Sequence, residues 1–430
     1  MTGALSRAAP PADRARVADS LAAFAGWLRS VGYTSYDQYD FWATTYGIWS
    51  KGLYYRYGRL AAPLVLPLLA VDWLVPSSRR WVCLPKRFAI ADAHYLMGFL
   101  ALYRATREPT HLSAASALAD ALLASSIPGY TGHCWGYPFD WQTKRGLWKR
   151  NTPLVTTTPY VFDAFVELYQ TSGDRHHLEL ARSIAEFVAN DIHDTAVGDG
   201  WAASYTPFDT SQVVNASAYR AACMAEAAHL SNADRYHRLA AGNVRFVLDQ
   251  QRPDGAWPYS ADDPSDQFVD HFHTCFVIQG LYRAYRVLGD RAILDAVQRG
   301  YAYYRQRLFS ADGRPRPFAE ADHRQFRVLE LYDHAEALEL ALLLRPDVCT
   351  DALVVSMVTQ LLNLQTAQGH FVTRISSGGI RNLVPYHRWA QAQAFCALSR
   401  YYEQLRPAAG VISIARSPLG RCRVPSSRDS

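Results

Sequence analysis

The chain has 430 residues, a formal charge of +5 and 19% charged side chains, a basic excess too small and too dispersed for a nucleic-acid-binding surface. Seven cysteines, an odd count with no C-x-x-C pair, exclude a disulfide framework and read as reduced core residues of a cytoplasmic protein. The 11 Trp and 26 Tyr are in excess, and aromatic rings with polar tips suit a cleft in which ring faces stack on sugars.

In chain order, residues 1–36 read as an N-terminal helical segment without a secretory apolar run before Arg29. Residues 60–75 are strongly apolar and flanked by Arg56, Arg59, Arg79 and Arg80. At fewer than about 20 residues, and with Pro63, Pro67 and Asp72 inside it, the stretch is too short and too broken to span a bilayer. Two readings stay open for it, a buried outer helix or an element resting on the inner-membrane surface. From there a unit of about 60 residues recurs, an aromatic-and-glycine loop followed by a helix. The helices start near Asp92, Thr157, Asn215, His271, Asp333 and His387, and the stretch Leu96, Phe99, Leu100, Tyr103 shows their apolar stripe. Between the helices stand stop-and-cap signals such as Gly173-Asp174 and Gly289-Asp290. Six such hairpins predict an all-α (α/α)6 toroid over residues 37–405, followed by a disordered basic tail, 406–430.

Loops that precede inner helices line one funnel, so their polar groups are the candidates for chemistry. Trp135, Tyr137, Asp140, Trp141 and Gln142 form the first group, Tyr205 and Asp209 with Asn215 the second, Asp270, His271 and His273 the third, and Tyr386, His387 and Arg388 the fourth. Trp257 belongs to the turn Gln250 to Trp257. Trp135, Tyr137 and Trp141 are expected to face the cavity and stack on sugar rings. Hydrolysis needs two carboxylates, for which Asp140, Asp209 and Asp270 are candidates. Proton abstraction beside a uronate needs a His or Tyr base, for which His271, His273 and Tyr205 serve. Trp135, Tyr137, Trp141, Gln142, Asn215, Trp257, Tyr386, His387 and Arg388 are assigned to substrate binding. His271 and His273 are two residues apart and do not share a helix face, so no metal or other cofactor is expected. A terpene-cyclase reading rests on Gln250 to Trp257 and on Asp262-Asp263-Pro264-Ser265-Asp266. The first is an inter-helix turn and the second carries a proline in a loop.

The strings Trp135-Gly136-Tyr137-Pro138-Phe139-Asp140-Trp141-Gln142, Ser204-Tyr205-Thr206-Pro207-Phe208-Asp209 with Asn215, Asp254-Gly255-Ala256-Trp257 and Asp270-His271-Phe272-His273-Thr274 resemble those of a bacterial family of six-hairpin proteins encoded among exopolysaccharide-biosynthesis and glycosyltransferase genes. The resemblance covers roughly Asp37 to Tyr402. Pro138, Val214 and His271 depart from it where the family pattern has Asn. It implies a helical toroid and a role in surface-polysaccharide production, with a polysaccharide or lipid-linked oligosaccharide and the synthesis machinery as partners. The expectation is therefore a glycan-modifying protein of hydrolase or uronate lyase/epimerase type, or else a non-catalytic glycan-binding assembly factor.

Overall fold

The computed structural model describes residues 14–320 and 327–405; the tail 406–430 lies outside the described residues. Its helices are α1 (Arg14–Val31), α2 (Thr45–Tyr57), α3 (Ala62–Leu74), α4 (Ala89–Thr106), α5 (Pro109–Ala124), α6 (Thr158–Ser172), α7 (Arg175–Asn190), α8 (Val214–Ser231), α9 (Asp234–Asp249), α10 (His271–Leu288), α11 (Arg291–Arg307), α12 (Leu331–Leu344), α13 (Asp351–Asn363) and α14 (Ala392–Gln404). Helices α4, α6, α8, α10, α12 and α14 each touch the next, and α14 closes the ring on α4. Each inner helix carries an outer partner: α5, α7, α9, α11 and α13 follow theirs, and α1 packs outside α14. The fold is an all-α (α/α)6 toroid.

Local chemistry sets this alternation. Gly173 (φ 75°) ends α6 and Asp174 caps α7 by accepting from the His176 amide; Gly289 (φ 73°) and Asp290 do the same between α10 and α11. Inner helices are buried on all sides, as α12 is from Leu331 to Leu342, whereas α7 buries one stripe, Leu178, Ala181, Ile184, Ala185 and Val188. The helix α1, inside the 1–36 segment expected to lie outside the toroid and pack across one face of it, is held to the ring by Phe24, whose ring stacks on Phe371 and Phe395 at 5.5 and 5.1 Å.

The loops from outer to inner helices carry three small antiparallel sheets: β1 (Trp141–Thr143) with β2 (Gly146–Trp148), β3 (Asp194–Val197) with β4 (Gly200–Ala203), and β5 (Arg327–Glu330), β6 (Arg374–Ser376) and β7 (Arg381–Asn382). They stand at the end of the ring where the inner helices begin. Residues 60–75 do not form a buried outer helix, since α1 takes that place. They form α3, which folds back on α2: Gly58 (φ 59°) breaks the chain between them, and the Tyr46 hydroxyl donates to the Leu64 carbonyl at 2.9 Å. This turn divides the apolar stretch Thr45–Leu74, so it does not form one straight rod. The hairpin is anchored at Asp72, buried and paired with Arg79 and, at 3.8 Å, with Arg374.

Two helical glycines test the packing. A Cβ on Gly280 would meet the Ala218 carbonyl oxygen at 2.6 Å, whereas one on Gly26 meets nothing nearer than 3.9 Å. Gly280→Ala is expected to lose about 1–3 kcal/mol in urea unfolding. Gly26→Ala is expected to gain about 0.5–1 kcal/mol from helix propensity.

Candidate active site

At the loop end of the ring, Asp270 occupies the N-cap of α10 and uses its two carboxylate oxygens differently. Oδ1 accepts from the His273 amide at 3.2 Å, and Oδ2 accepts from His273 Nδ1 at 2.7 Å. Burial of Asp270 at 4% exposure shields that bond from water. The imidazole is thereby fixed in one orientation with Nε2 left for a ligand. The pair lines a narrow cleft of about 10 Å³, room for about one water, with Asn215, Trp257, Tyr259 and Phe268. Asn215 Oδ1 is buried there without a hydrogen-bond partner among the described residues, an acceptor suited to a sugar hydroxyl.

An aromatic surface runs from this cleft across the mouth of the ring. His273 lies against Tyr259 (4.7 Å between centroids) and Phe272 (4.3 Å), Phe272 meets Trp389 (5.4 Å), and Trp389 stacks on Tyr332 at 4.2 Å. Tyr39 joins Trp389 to Trp141, and Trp141 continues to Tyr137 and Trp148, and Trp148 to Tyr205. The Arg388 guanidinium sits over Tyr137 at 4.4 Å and over Tyr39 and Trp389, held by two bonds of 2.7 and 2.8 Å to the Asp37 carboxylate. Below the mouth the Tyr160 and Tyr219 hydroxyls share a 2.5 Å hydrogen bond, and further down Arg283 pairs with Asp163, and Arg400 with Glu167 and Glu339. The ring is thus closed at its floor.

The structure therefore brings Asn215, Trp257, Asp270 and His273 to one cleft, and Tyr137, Trp141, Tyr205 and Arg388 to the adjoining mouth. Other expected site residues stand elsewhere. Trp135 is 1% exposed and donates its indole N–H to the Leu122 carbonyl at the end of α5, so it seals the hairpin and does not face the cavity. Trp257 makes the same bond to Val247 on α9, while its ring reaches the cleft wall. His271 is fully buried between Tyr304, which meets Nε2 at 2.8 Å, and the Leu308 carbonyl; burial holds its pKa down at about 3. Asp209 accepts from the Tyr205, Thr206 and Ser211 amides and from two hydroxyls, which closes its own loop. Asp140 accepts from the Arg150 amide at 2.7 Å and from Lys149, and the first of these lowers its pKa. These two acids and His271 do not converge with His273. Gln142 donates to the neighbouring Thr143 carbonyl and lies under α2. Tyr386 is buried under the Arg79 guanidinium, and His387 lies between Trp27 and Tyr95. Asp262 and Asp266 are ion-paired with Arg145 and Lys144 of the β1–β2 turn.

Residues that the sequence did not single out include Tyr39, Trp148, Phe268 and Tyr332. Phe272 and Trp389 flank residues already singled out and point into the mouth. Asp37 lies 351 residues from Arg388, and no local pattern marks it.

No protein-family model matches the chain, and no curated protein is similar to it in sequence. Solved structures match its fold. One is cellobiose 2-epimerase from Spirochaeta thermophila DSM 6192, with a TM-score of 0.58 and 13% identity over 74% of this chain and 88% of that one. Another is a family 76 glycoside hydrolase from a bovine Bacteroides thetaiotaomicron strain, with a TM-score of 0.57 and 11% identity over 73% and 69%. A polysaccharide lyase matches with a TM-score of 0.51 and 14% identity over 73% and 89%. At such identities the likeness is one of fold.

Two outcomes follow from the placements. Trp135→Ala should lose about 3–5 kcal/mol in urea unfolding, the effect of emptying a packed aromatic site. Glu336, in the ring interior with Gln279 at 3.2 Å, has its carboxyl pushed up to about 8 by burial and by Glu339. An unfolded-chain Glu titrates at about 4.3, so between those values the native state holds a proton that the unfolded state releases. Stability then falls as pH rises through that window. Glu336→Gln should flatten this slope, which denaturant titrations across the window will read.

Proposed function

We propose that the protein binds and modifies a glycan, with His273 as the proton-transferring group and Asp270 as its orienting partner. The observation that carries this reading is the 2.7 Å Asp270–His273 bond at the wall of a cleft bordered by aromatic rings. A carboxylate on Nδ1 selects the tautomer and supports the imidazolium when Nε2 takes a proton. Tyr259 and Phe268, stacked at 4.9 Å, would offer ring faces to a pyranose. Among the cleft-lining residues Asp270 is the one carboxylate. Proton transfer of lyase or epimerase type therefore fits better than the paired carboxylates of a hydrolase. Solved structures of like fold include an epimerase, a glycoside hydrolase and a polysaccharide lyase, which supports a sugar as substrate. The sequence resemblance supports, as its class, a polysaccharide or lipid-linked oligosaccharide of surface-polysaccharide production, handled together with the synthesis machinery, and the unpaired cysteines support a site at the cytoplasmic side of the inner membrane.

A second reading, a glycan-binding assembly factor without turnover, is favoured by the tightness of the cleft, about 10 Å³, since small-molecule sites usually enclose about 300–1,000 Å³.

Acidic and neutral oligosaccharides incubated with the protein in deuterated water distinguish the two. Deuterium in the recovered sugar or an unsaturated product is expected. Asp270→Asn keeps a good helix cap while removing the charge, so turnover should fall by about 10²–10⁴-fold with the melting temperature nearly unchanged. His273→Ala should do the same. Binding without isotope exchange or product would leave the assembly-factor reading in place.

A further inference from the structure

The hairpin of α2 and α3, with the short helical turn Pro76–Trp81 that follows it, carries an apolar surface that no described part of the protein covers. Leu60 is 87% exposed, Trp81 71%, Leu74 63%, Leu66 57% and Trp49 51%. Its charges have one sign. Between Phe41 and Ala91 the sequence holds a single carboxylate, Asp72, and that one is buried against Arg79 and Arg374. Arg56, Arg59 and Arg80 are exposed around the apolar residues, with the Arg80 guanidinium lying over the Trp81 ring at 5.0 Å. Exposed Leu and Trp with arginines alone at the rim match the boundary of an anionic bilayer, where apolar side chains enter beneath the headgroups and arginines reach lipid phosphates. A second copy of the chain fits less well, because a two-fold contact would bring the same arginines face to face. The fold-back at Gly58 with the Tyr46–Leu64 bond makes the element a hairpin lying on a surface.

We propose that this hairpin docks the protein on an anionic lipid surface, with Leu60, Leu66 and Trp81 inserted and Arg56, Arg59 and Arg80 on the phosphates. The other side of α2 packs on β1, where Gly52 faces Gln142. The mouth of the ring therefore opens beside the docked surface. This inference stands on the hairpin alone and does not need His273 to be catalytic.

The test is co-sedimentation of the full-length protein with vesicles of phosphatidylcholine alone or mixed with phosphatidylglycerol. Binding to the mixed vesicles, weakened by salt, is expected. Each arginine near an anionic surface contributes about 1 kcal/mol, a factor of about 5, so Arg56→Ala/Arg59→Ala should weaken partitioning about 25-fold. Leu60→Glu/Leu66→Glu should abolish sedimentation while circular dichroism and melting temperature stay those of the native protein, since both side chains are exposed. The proposal is overturned if the native protein ignores the mixed vesicles or if both variants sediment as it does. A native dimer that the leucine variant converts to monomer would also overturn it, since the surface would then belong to a second copy.

Discussion

The ion pair between Asp37 and Arg388 organises the mouth of this toroid. Both side chains are at most 1% exposed, and their two bonds of 2.7 and 2.8 Å satisfy the fork of the guanidinium against both carboxylate oxygens. Removing either partner would strand a buried charge, a loss of about 3–5 kcal/mol. The guanidinium is also the platform on which Tyr39, Tyr137 and Trp389 are arranged, so the aromatic surface of the mouth takes its shape from it. Because Asp37 precedes α2 and Arg388 precedes α14, the same pair ties the start of the inserted hairpin to the last inner helix. Lys86, bonded to Asp40 at 3.0 Å, adds a second tie near the same point.

The two ends of the ring differ because of chain direction. Every inner helix starts at the mouth, where free amides and capping side chains gather, and there the cap of α10 serves also as the partner of His273. At the floor, α6, α10, α12 and α14 set Asp163, Glu167, Glu339, Arg283 and Arg400 against one another, and Arg104 joins Glu403 to Glu167. That network closes the axis with paired charges, which leaves the mouth as the side for a ligand. Close contact between inner helices depends on small residues there, Gly98 against Phe395 and Gly280 against Ala218.

Two carboxylates that precede inner helices differ in role because they differ in place: Asp270 is the N-cap of α10, whereas Asp209 lies four residues before Val213, the N-cap of α8. Asp209 is saturated by the amides and hydroxyls of its own turn. Asp270 spends one oxygen on the helix amide and keeps the other for an imidazole. A carboxylate whose bonds are all local cannot accept a proton from a ligand without opening its loop.

Periodicity and helix punctuation in the sequence were enough to place the six inner helices, because a helix with one apolar stripe and a Gly-Asp stop is a local property, but not the outer partner of α14, since α1 reaches it from the far end of the sequence. The same local reading marked the loops from which Asn215, Asp270 and His273 come. It could not assign Trp135 to the hairpin seal and Trp141 to the mouth, since both sit in one aromatic string and their directions depend on which helix end or strand lies opposite. Nor could it separate His271 from His273, where two residues along a helix turn one ring to Tyr304 on α11 and the other to the cleft. The apolar stretch 60–75 was legible as hydrophobic but not as exposed. Burial is decided by competition for the outer face of the ring, and α1 takes that place. The partner of Arg388, the aromatic chain through Phe272 and Trp389, and the exposed side of α3 were settled by tertiary structure, because each joins residues that only ring closure brings together.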